Sequence, residues 1–185
     1  MLAPVKCYLV TYWSVIASIF RVVMSHQLFP RPGHDHGSCV EKAIARARQV
    51  CASKDIRLTP LREAVLRVLT GSHKALGAYE IIEQMNAQGR RLAPISVYRI
   101  IDILVEAGLV HRLESKNAYF ACLSRHEENA SIVILLCEGC NRVAEADASR
   151  AWDAIKTITQ DNEFSISATV LEIQGQCSDC RSKAA

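Results

Sequence analysis

The sequence lacks a large net charge, a recognisable catalytic constellation, and an apolar run after Met24 long enough to cross a membrane. The formal charge of +3 at pH 7 excludes a chain that is basic over its whole surface, so any DNA-binding surface must be local. No Ser/His/Asp set, phosphate-binding loop or pair of catalytic carboxylates stands out, so we expect a protein that is not an enzyme and has no membrane partner. No internal repeat is visible, which argues against a repeat architecture.

Cysteine, in contrast, is plentiful, with eight in the chain. Four of them form two C-x-x-C pairs, Cys137 with Cys140 in LLCEGC and Cys177 with Cys180 in GQCSDC. Eight cysteines could form four disulfides in a secreted protein, but the regular helix and strand patterns favour a reduced, cytoplasmic protein. Two residues between thiolates let a tight turn direct both sulfur atoms at one ion. The two pairs therefore predict a closed, four-thiolate structural zinc site.

The N-terminal part of the chain contains an uncharged, mostly apolar run at residues 7–20. It has no convincing A-x-A cleavage site as a signal peptide, and it is short for a membrane span. We favour a third interpretation, in which Met24 is the true start. Residues 1–38 are predicted to be a flexible extension, in which His34 and His36, with Cys39, could bind a metal weakly or be present by chance.

The middle of the chain predicts a winged helix-turn-helix. Apolar positions recur at helical spacing in four segments, which are residues 40–51, 59–71, 78–89 and 94–108. Two short β-prone runs, LVHRLE and AYFAC, then flank Ser115-Lys116-Asn117 and predict a hairpin. In this arrangement the last helix before the hairpin enters the major groove, and the hairpin is the wing.

The C-terminal part has a different pattern, and we predict a small α/β unit, so that the fold class is α+β. SIVILLC and RVAEA read as strands, Trp152 and Ile155 begin a helical stripe, and residues 164–175 read as one long strand. The first and last strands end at C-x-x-C pairs, so one zinc ion would hold them together. We place the domain boundaries at 39–121 and 122–185.

The fourth helix carries candidate DNA-binding residues. Its apolar stripe leaves Ser96, Tyr98 and Arg99 near the exposed side, where they suit contacts to phosphates and base edges. Arg57 and Arg62 lie close to a helix end in the same predicted domain and could contact phosphates. Two alternatives stay open at this point: ordinary solvated side chains, or a winged fold that binds protein.

A family resemblance extends from about Val40 to Cys180. The segments that carry it are RLTPLREAVLRVL, GAYEII, PISVYRIIDILVEAGLVHRLES, NAYFAC, LLCEGCNRVAE and EIQGQCSDC. In this order they resemble the ferric uptake regulator family, most closely its zinc uptake regulator branch. The resemblance implies a homodimeric, cytoplasmic repressor whose winged helix binds a palindromic operator in double-stranded DNA. It also implies that the C-terminal domain dimerises and that metal loading promotes DNA binding.

The resemblance also implies roles for single residues. Tyr79, Tyr98 and Arg99 match DNA-contacting positions of the family. The structural zinc site is matched by Cys137, Cys140, Cys177 and Cys180. Two zinc ions per protomer are thus expected, one structural and one regulatory.

For the regulatory zinc, His111, Cys122 and Glu145 match three of the family's ligands. Where the family usually has a histidine, this chain has Asn129-Ala130. His126 is the histidine available in that loop, and we expect it to be the fourth ligand. The alternative is a site of three protein ligands plus water, or a degenerate site.

The hairpin itself supports pairing His111 with Cys122. If the turn centres between Lys116 and Asn117, the two residues lie opposite each other, with Cβ atoms about 4.5–5.5 Å apart. Singly, His111 could be a surface histidine and Cys122 a small buried apolar residue. A His, Cys and Glu set is softer than a typical iron site, and it suits zinc.

Together these observations predict a zinc-responsive repressor of zinc uptake genes. One alternative is a regulator of the same family that senses iron or peroxide, against which the Cys122 ligand argues. A more distant alternative is a thiol oxidoreductase that uses C-x-x-C. That activity needs the motif to open a helix, whereas a strand is predicted after Cys140.

Overall fold

The computed structural model describes residues 28–29, 35–122 and 131–184. The apolar N-terminal run, His34 and His126 lie outside these residues. Within them, no helix is both long enough and apolar enough to cross a membrane.

Four helices form the first part of the described chain: α1 (His36–Ser53), α2 (Pro60–Thr70), α3 (Ala78–Ala87) and α4 (Pro94–Glu106). Asp35 caps α1 by accepting a 2.8 Å hydrogen bond from the Gly37 N–H. Because of this cap, α1 begins at His36, and residues 36–38 are helical rather than part of a flexible extension as predicted. Thr59 caps α2, and Pro60 occupies its first turn, as the sequence predicts.

The core of this part is formed by the predicted apolar stripes. Side chains from all four helices are almost fully enclosed, among them Ile44, Val65, Leu69, Ile81, Met85, Val97, Ile101 and Leu104. The packed stripes leave the polar faces of the helices toward solvent, where DNA could reach them.

The wing consists of β2 (Val110–Leu113), a 3₁₀ turn (Glu114–Lys116) and β3 (Ala118–Ala121), with β1 (Leu76–Gly77) pairing on the other side of β3. His111 pairs with Phe120, so the predicted pairing of His111 with Cys122 is wrong. The 3₁₀ turn and the left-handed Asn117 (φ 47°) centre the hairpin one residue earlier than predicted. The residue opposite His111 is thus Phe120, two residues before Cys122. Because side chains alternate between the two faces of a strand, Cys122 remains on the same face as His111.

The C-terminal part contains β4 (Ile132–Cys137), β5 (Val143–Asp147), α5 (Ser149–Asp161), β6 (Glu172–Gly175) and α6 (Ser178–Ala184). The sheet order is β5-β4-β6, with β4 antiparallel to β5 and parallel to β6. Of the strand predicted at 164–175, only the last four residues are a strand. The α+β class is confirmed.

The hairpin and the C-terminal sheet share a second apolar cluster. Leu113 and Phe120 of the wing pack with Ile134, Leu136 and Val143 of the sheet. The Val143 N–H also donates a 2.9 Å hydrogen bond to the His73 carbonyl oxygen, in the loop after α2. Side chains therefore hold the wing against the C-terminal sheet, and a backbone hydrogen bond holds the loop after α2 against it.

Candidate metal centres and DNA-binding surface

The two C-x-x-C pairs come together at one end of the C-terminal sheet. Parallel pairing places Cys137, at the end of β4, opposite Gly175, just before Cys177. The four sulfur atoms all lie within 4.8 Å of one another, and those of Cys140 and Cys177 are 3.8 Å apart. A zinc tetrahedron with Zn–S bonds of about 2.3 Å has S···S edges of about 3.8 Å. None of the four cysteines is in a disulfide, and their sulfur atoms fit a closed zinc site.

Two residues that the sequence analysis did not single out support this cluster. Arg142 donates hydrogen bonds of 3.2 Å to the sulfur atoms of both Cys140 and Cys177, and a 2.6 Å ion pair with Asp179 holds its guanidinium. Gly139 lies so close to Cys180 that a Cβ built on it would be 3.0 Å from the sulfur. The glycine inside the C-x-x-C motif can be read from the sequence. The contact of Arg142 with the cysteines cannot, because it depends on the fold.

The electrostatics of the cluster favour thiolate at Cys137, whereas hydrogen bonds to Cys137 and Cys177 raise the pKa of the Cys180 thiol to about 12. Burial raises the pKa of the Cys137 thiol, but hydrogen bonds from backbone N–H groups and neighbouring thiols outweigh burial and lower it to about 6. One of these donors is the Cys177 N–H, 3.3 Å from the Cys137 sulfur. A metal ion would therefore meet a sulfur that ionises readily.

A second cluster lies where the wing meets the C-terminal sheet. His111 on β2, Cys122 just after β3 and Glu145 on β5 place their ligand atoms within 4.8 Å of one another. The His111 Nε2 atom is 3.3 Å from the Glu145 carboxylate. Cys122 and Glu145 are buried, and a buried carboxylate is costly unless a cation or a set of donors compensates it.

The surroundings of His111 favour its protonated form in the absence of metal. Burial lowers the pKa of His111, but the Cys122 thiol and the Glu145 carboxylate raise it more, so the net pKa is about 9. At neutral pH the imidazolium thus places a positive charge beside the Cys122 thiol and the Glu145 carboxylate. A metal ion would take over that charge and displace the proton.

Among residues 35–122 and 131–184, these are the only two groups of three or more ligand side chains whose donor atoms lie within 4.8 Å of one another. Neither group includes His36 or Cys39. The His36 ring lies near that of His73, with 5.1 Å between their centroids.

The predicted DNA-binding residues on α3 and α4 differ in exposure. Tyr79 is 74% exposed at the start of α3, and Arg99 is exposed on α4. Ser96 is half-buried, and Tyr98 packs against the helical core while part of its side chain stays accessible. Ile95 beside them is also exposed, an apolar side chain on this surface that sequence reasoning missed.

The two arginines near α2 are also placed differently. Arg57 is exposed in the loop before the helix, whereas Arg62 is half-buried and donates a hydrogen bond to the Arg57 carbonyl oxygen. Arg62 therefore braces the loop that presents Arg57, in addition to any contact of its own.

Fold and sites together define a winged-helix protein with two candidate metal centres, one inside its C-terminal part and one at the junction of its two parts. The chain belongs to the ferric uptake regulator family, whose sequence model matches residues 53–174. This confirms the resemblance that the motifs indicated.

Individual relatives agree with this assignment. A zinc uptake regulation protein from Escherichia coli is 31% identical over 140 residues, which cover 76% of this chain and 82% of the relative. A peroxide-responsive repressor, PerR, from Staphylococcus aureus is 26% identical over 145 residues, which cover 78% of this chain and 93% of the relative.

Two solved structures have the same architecture. A zinc uptake regulator complexed with zinc and DNA has a TM-score of 0.73 and 30% identity, over 79% of this chain and 98% of that chain. Holo XcZur has a TM-score of 0.69 and 30% identity, over 77% of this chain and 99% of that chain.

Proposed function

We propose that this protein is a zinc-responsive transcriptional repressor of zinc uptake genes, in which zinc loading promotes binding to operator DNA. The observation that carries the proposal is the convergence of His111, Cys122 and Glu145 at the junction of the wing and the C-terminal sheet. The similarity to zinc uptake regulators, one of them solved with zinc and DNA, supports it. We further propose that the protein acts in the cytoplasm and catalyses no reaction.

Structural zinc is assigned to Cys137, Cys140, Cys177 and Cys180. Four thiolates leave no open coordination position, so this site would contribute folding energy and no chemistry. Arg142 offsets the excess negative charge of the thiolates through its contacts to two of them.

Regulatory zinc is assigned to His111, Cys122 and Glu145, with His126 proposed as the fourth ligand. Imidazole, thiolate and carboxylate together suit zinc, and a thiolate makes the site softer than one built for iron. A water molecule in the fourth position is the alternative.

The position of the cluster supports the coupling between metal and DNA. His111 and Cys122 belong to the wing, and Glu145 belongs to the C-terminal sheet, so ligands held by one ion fix the arrangement of the two parts. In a homodimer that arrangement sets the spacing of the two recognition helices, and only one spacing matches half-sites on one face of DNA. Zinc would thus select the DNA-binding arrangement.

For contacts to double-stranded DNA we propose the residues carried by α2, α3, α4 and their loops, which are Arg57, Arg62, Tyr79, Ser96, Tyr98 and Arg99. The exposure of Tyr79, Arg57 and Arg99 supports this assignment. The positive charge of the three arginines is confined to this part of the chain, as the small net charge of the whole chain requires.

The test is binding to promoter DNA of zinc transporter genes during a zinc titration. We expect zinc to raise the DNA affinity by roughly 5–150-fold, which is the usual range of allosteric coupling. Cys122→Ser should abolish this response, while Cys39→Ser, a cysteine of α1 outside both clusters, should keep it. His126→Ala tests the fourth ligand.

Two outcomes would count against the proposal. DNA binding that is unchanged by chelation would remove the regulatory role of zinc. An equal response to Fe²⁺ would favour the alternative of an iron or peroxide sensor.

A further inference from the structure

A charged residue from the first helix contacts the candidate regulatory cluster. The Arg46 guanidinium, on α1, lies 3.1 Å from the Cys122 sulfur and 3.4 Å from the Cys122 carbonyl oxygen. The Cys122 N–H donates a 3.0 Å hydrogen bond to the Leu109 carbonyl oxygen. The N–H, carbonyl and sulfur of this one cysteine are therefore all held.

We propose that Arg46 is a positioning residue that directs the Cys122 sulfur into the regulatory zinc site, an inference that rests on the proposed function above. A thiolate bound to a metal keeps lone pairs that can accept N–H···S hydrogen bonds. Groups that hold a ligand from outside the coordination sphere orient it and tune the metal.

The chemistry of the guanidinium suits this role. It is planar and always charged, and both contacts come from its Nη1 atom, whose two N–H groups can be shared between the sulfur and the carbonyl oxygen of one residue. A lysine ammonium in its place would keep the charge, but it lacks the rigid plane that fixes the direction of these N–H groups.

The other cluster provides an internal parallel. Arg142 donates to the sulfur atoms of Cys140 and Cys177 at 3.2 Å each. Each candidate zinc site thus has an arginine on a ligand sulfur. Arg142 comes from the chain segment that follows its own C-x-x-C pair, whereas Arg46 lies 76 residues before Cys122.

That difference gives Arg46 a second consequence. It links α1 to the cluster, in addition to the wing and the C-terminal sheet. The helix is itself joined to α2, because Arg48 of α1 pairs with Glu63 at 3.2 Å and Arg67 of α2 pairs with Glu41 at 2.8 Å. A change at the Cys122 sulfur would thus reach α1 through Arg46.

The experiment uses full-length protein with cobalt(II) at the exchangeable site and zinc at the four-cysteine site. The variants are Arg46→Met, Arg46→Lys and the matched control Arg48→Met, since Arg48 is on the same helix but contacts Glu63 instead. Chelator competition measures metal affinity, and absorption spectra follow the thiolate-to-cobalt charge-transfer band.

We expect Arg46→Met to weaken metal binding about tenfold. The charge-transfer band should move to longer wavelength, because the sulfur lone pairs lose a stabilising donor. Arg46→Lys should give intermediate values, and Arg48→Met should match the parent protein.

Arg46→Met with the affinity and spectrum of Arg48→Met would overturn the inference. If Arg46→Met does not fold, Arg46→Lys decides, and parent-like values for it would have the same meaning. Cys122→Ser separates this inference from the proposed function. If Cys122→Ser leaves affinity unchanged, the regulatory site itself is wrong; if it abolishes binding while Arg46→Met is parent-like, only the role of Arg46 is wrong.

Discussion

At the scale of single residues, the two candidate metal centres differ in charge and enclosure. In the four-cysteine cluster, Gly139 lies so close to Cys180 that a side chain at position 139 would crowd the sulfur. The junction cluster instead mixes a cation, His111, with acidic groups in a buried place. These differences give two predictions about individual side chains.

Gly139→Ala should loosen the structural site. The new methyl group would lie 3.0 Å from the Cys180 sulfur, so the sulfur or the turn must move. We expect a loss of about 1–3 kcal/mol in the free energy of unfolding of the zinc-loaded protein, measured by urea titration, and faster zinc loss to a chelator. Gly175→Ala is the control, because nothing lies within 4 Å of a Cβ there. Equal stability of the two variants would contradict the prediction.

His111 should make the stability of protein without regulatory zinc depend on pH. Its folded pKa of about 9 is above the ordinary value of 6.5. The stabilisation is therefore fully present below pH 6.5 and is lost as pH rises toward 9. The expected loss is about 2–3 kcal/mol.

The measurement is urea unfolding of parent and His111→Gln at several pH values, with structural zinc retained. The difference in unfolding free energy between them should shrink from pH 6.5 to 9. A difference that stays constant over this interval would show that His111 carries no extra proton.

At the scale of elements, the wing turn is capped by the C-terminal sheet. The Glu172 carboxylate on β6 accepts hydrogen bonds from the Glu114 N–H at 2.6 Å and the Ser115 N–H at 3.0 Å. Burial raises the pKa of Glu172, but hydrogen bonds from the Ser115 side chain and from these two backbone N–H groups outweigh burial and lower it. Its stabilising effect is therefore present above the ordinary pKa of 4.5, and it is lost as pH falls through the lower folded value.

Glu172→Gln should weaken this contact, because an amide offers one acceptor oxygen and no charge. We expect faster hydrogen exchange at the Glu114 and Ser115 amides and a cost of about 1–2 kcal/mol in unfolding free energy. Glu138→Gln, an exposed position in the first C-x-x-C turn, should leave both amides as protected as in the parent. Unchanged exchange in Glu172→Gln would rule out the cap.

Elements could be predicted from sequence where one local pattern decides them. The stripes of α2, α3 and α4 are long and periodic, and their packing follows them. The start of α1 depends on a single cap at Asp35, and the hairpin register on a 3₁₀ turn and Asn117, which alternation does not encode. The strand predicted at 164–175 is short because the ladder to β4 begins only at Glu172.

The same limit applies to the sites. His111, Cys122 and Glu145 could be found because their motifs match a family, and the two C-x-x-C pairs because their spacing is chemically specific. Arg46 and Arg142 could not be found in this way, because no sequence pattern identifies the distant sulfur atom that an arginine on a surface helix or after a turn will contact. Only the folded chain brings them together.

At the scale of the whole molecule, the C-terminal part presents apolar side chains to solvent. Ile158, Phe164, Val170 and Ile173 are each more than half exposed, and Ile173 lies on the edge strand β6. Exposed apolar surface is typical of an interaction site, and these four side chains all lie in the C-terminal part. They support the proposed homodimer.

Phe164→Asp combined with Ile173→Asp should therefore give monomers in sedimentation experiments, because two charges would be buried in the interface. Ile95→Asp, an equally exposed apolar position on α4, should remain dimeric. Dimers formed by the double variant would mean that another surface joins the protomers.

The apolar cluster shared by the wing and the C-terminal sheet also affects how the molecule unfolds. Leu113 and Phe120 lie in the wing, yet their neighbours include Ile134, Leu136 and Val143. If one part unfolds, the apolar side chains that it covers in the other part become exposed to water. The two parts should therefore unfold as a single cooperative unit. With both sites loaded, calorimetry should record one transition, and a fragment ending at Ala121, which keeps the helical core but loses Ile134, Leu136 and Val143, should unfold at a lower temperature than the full chain.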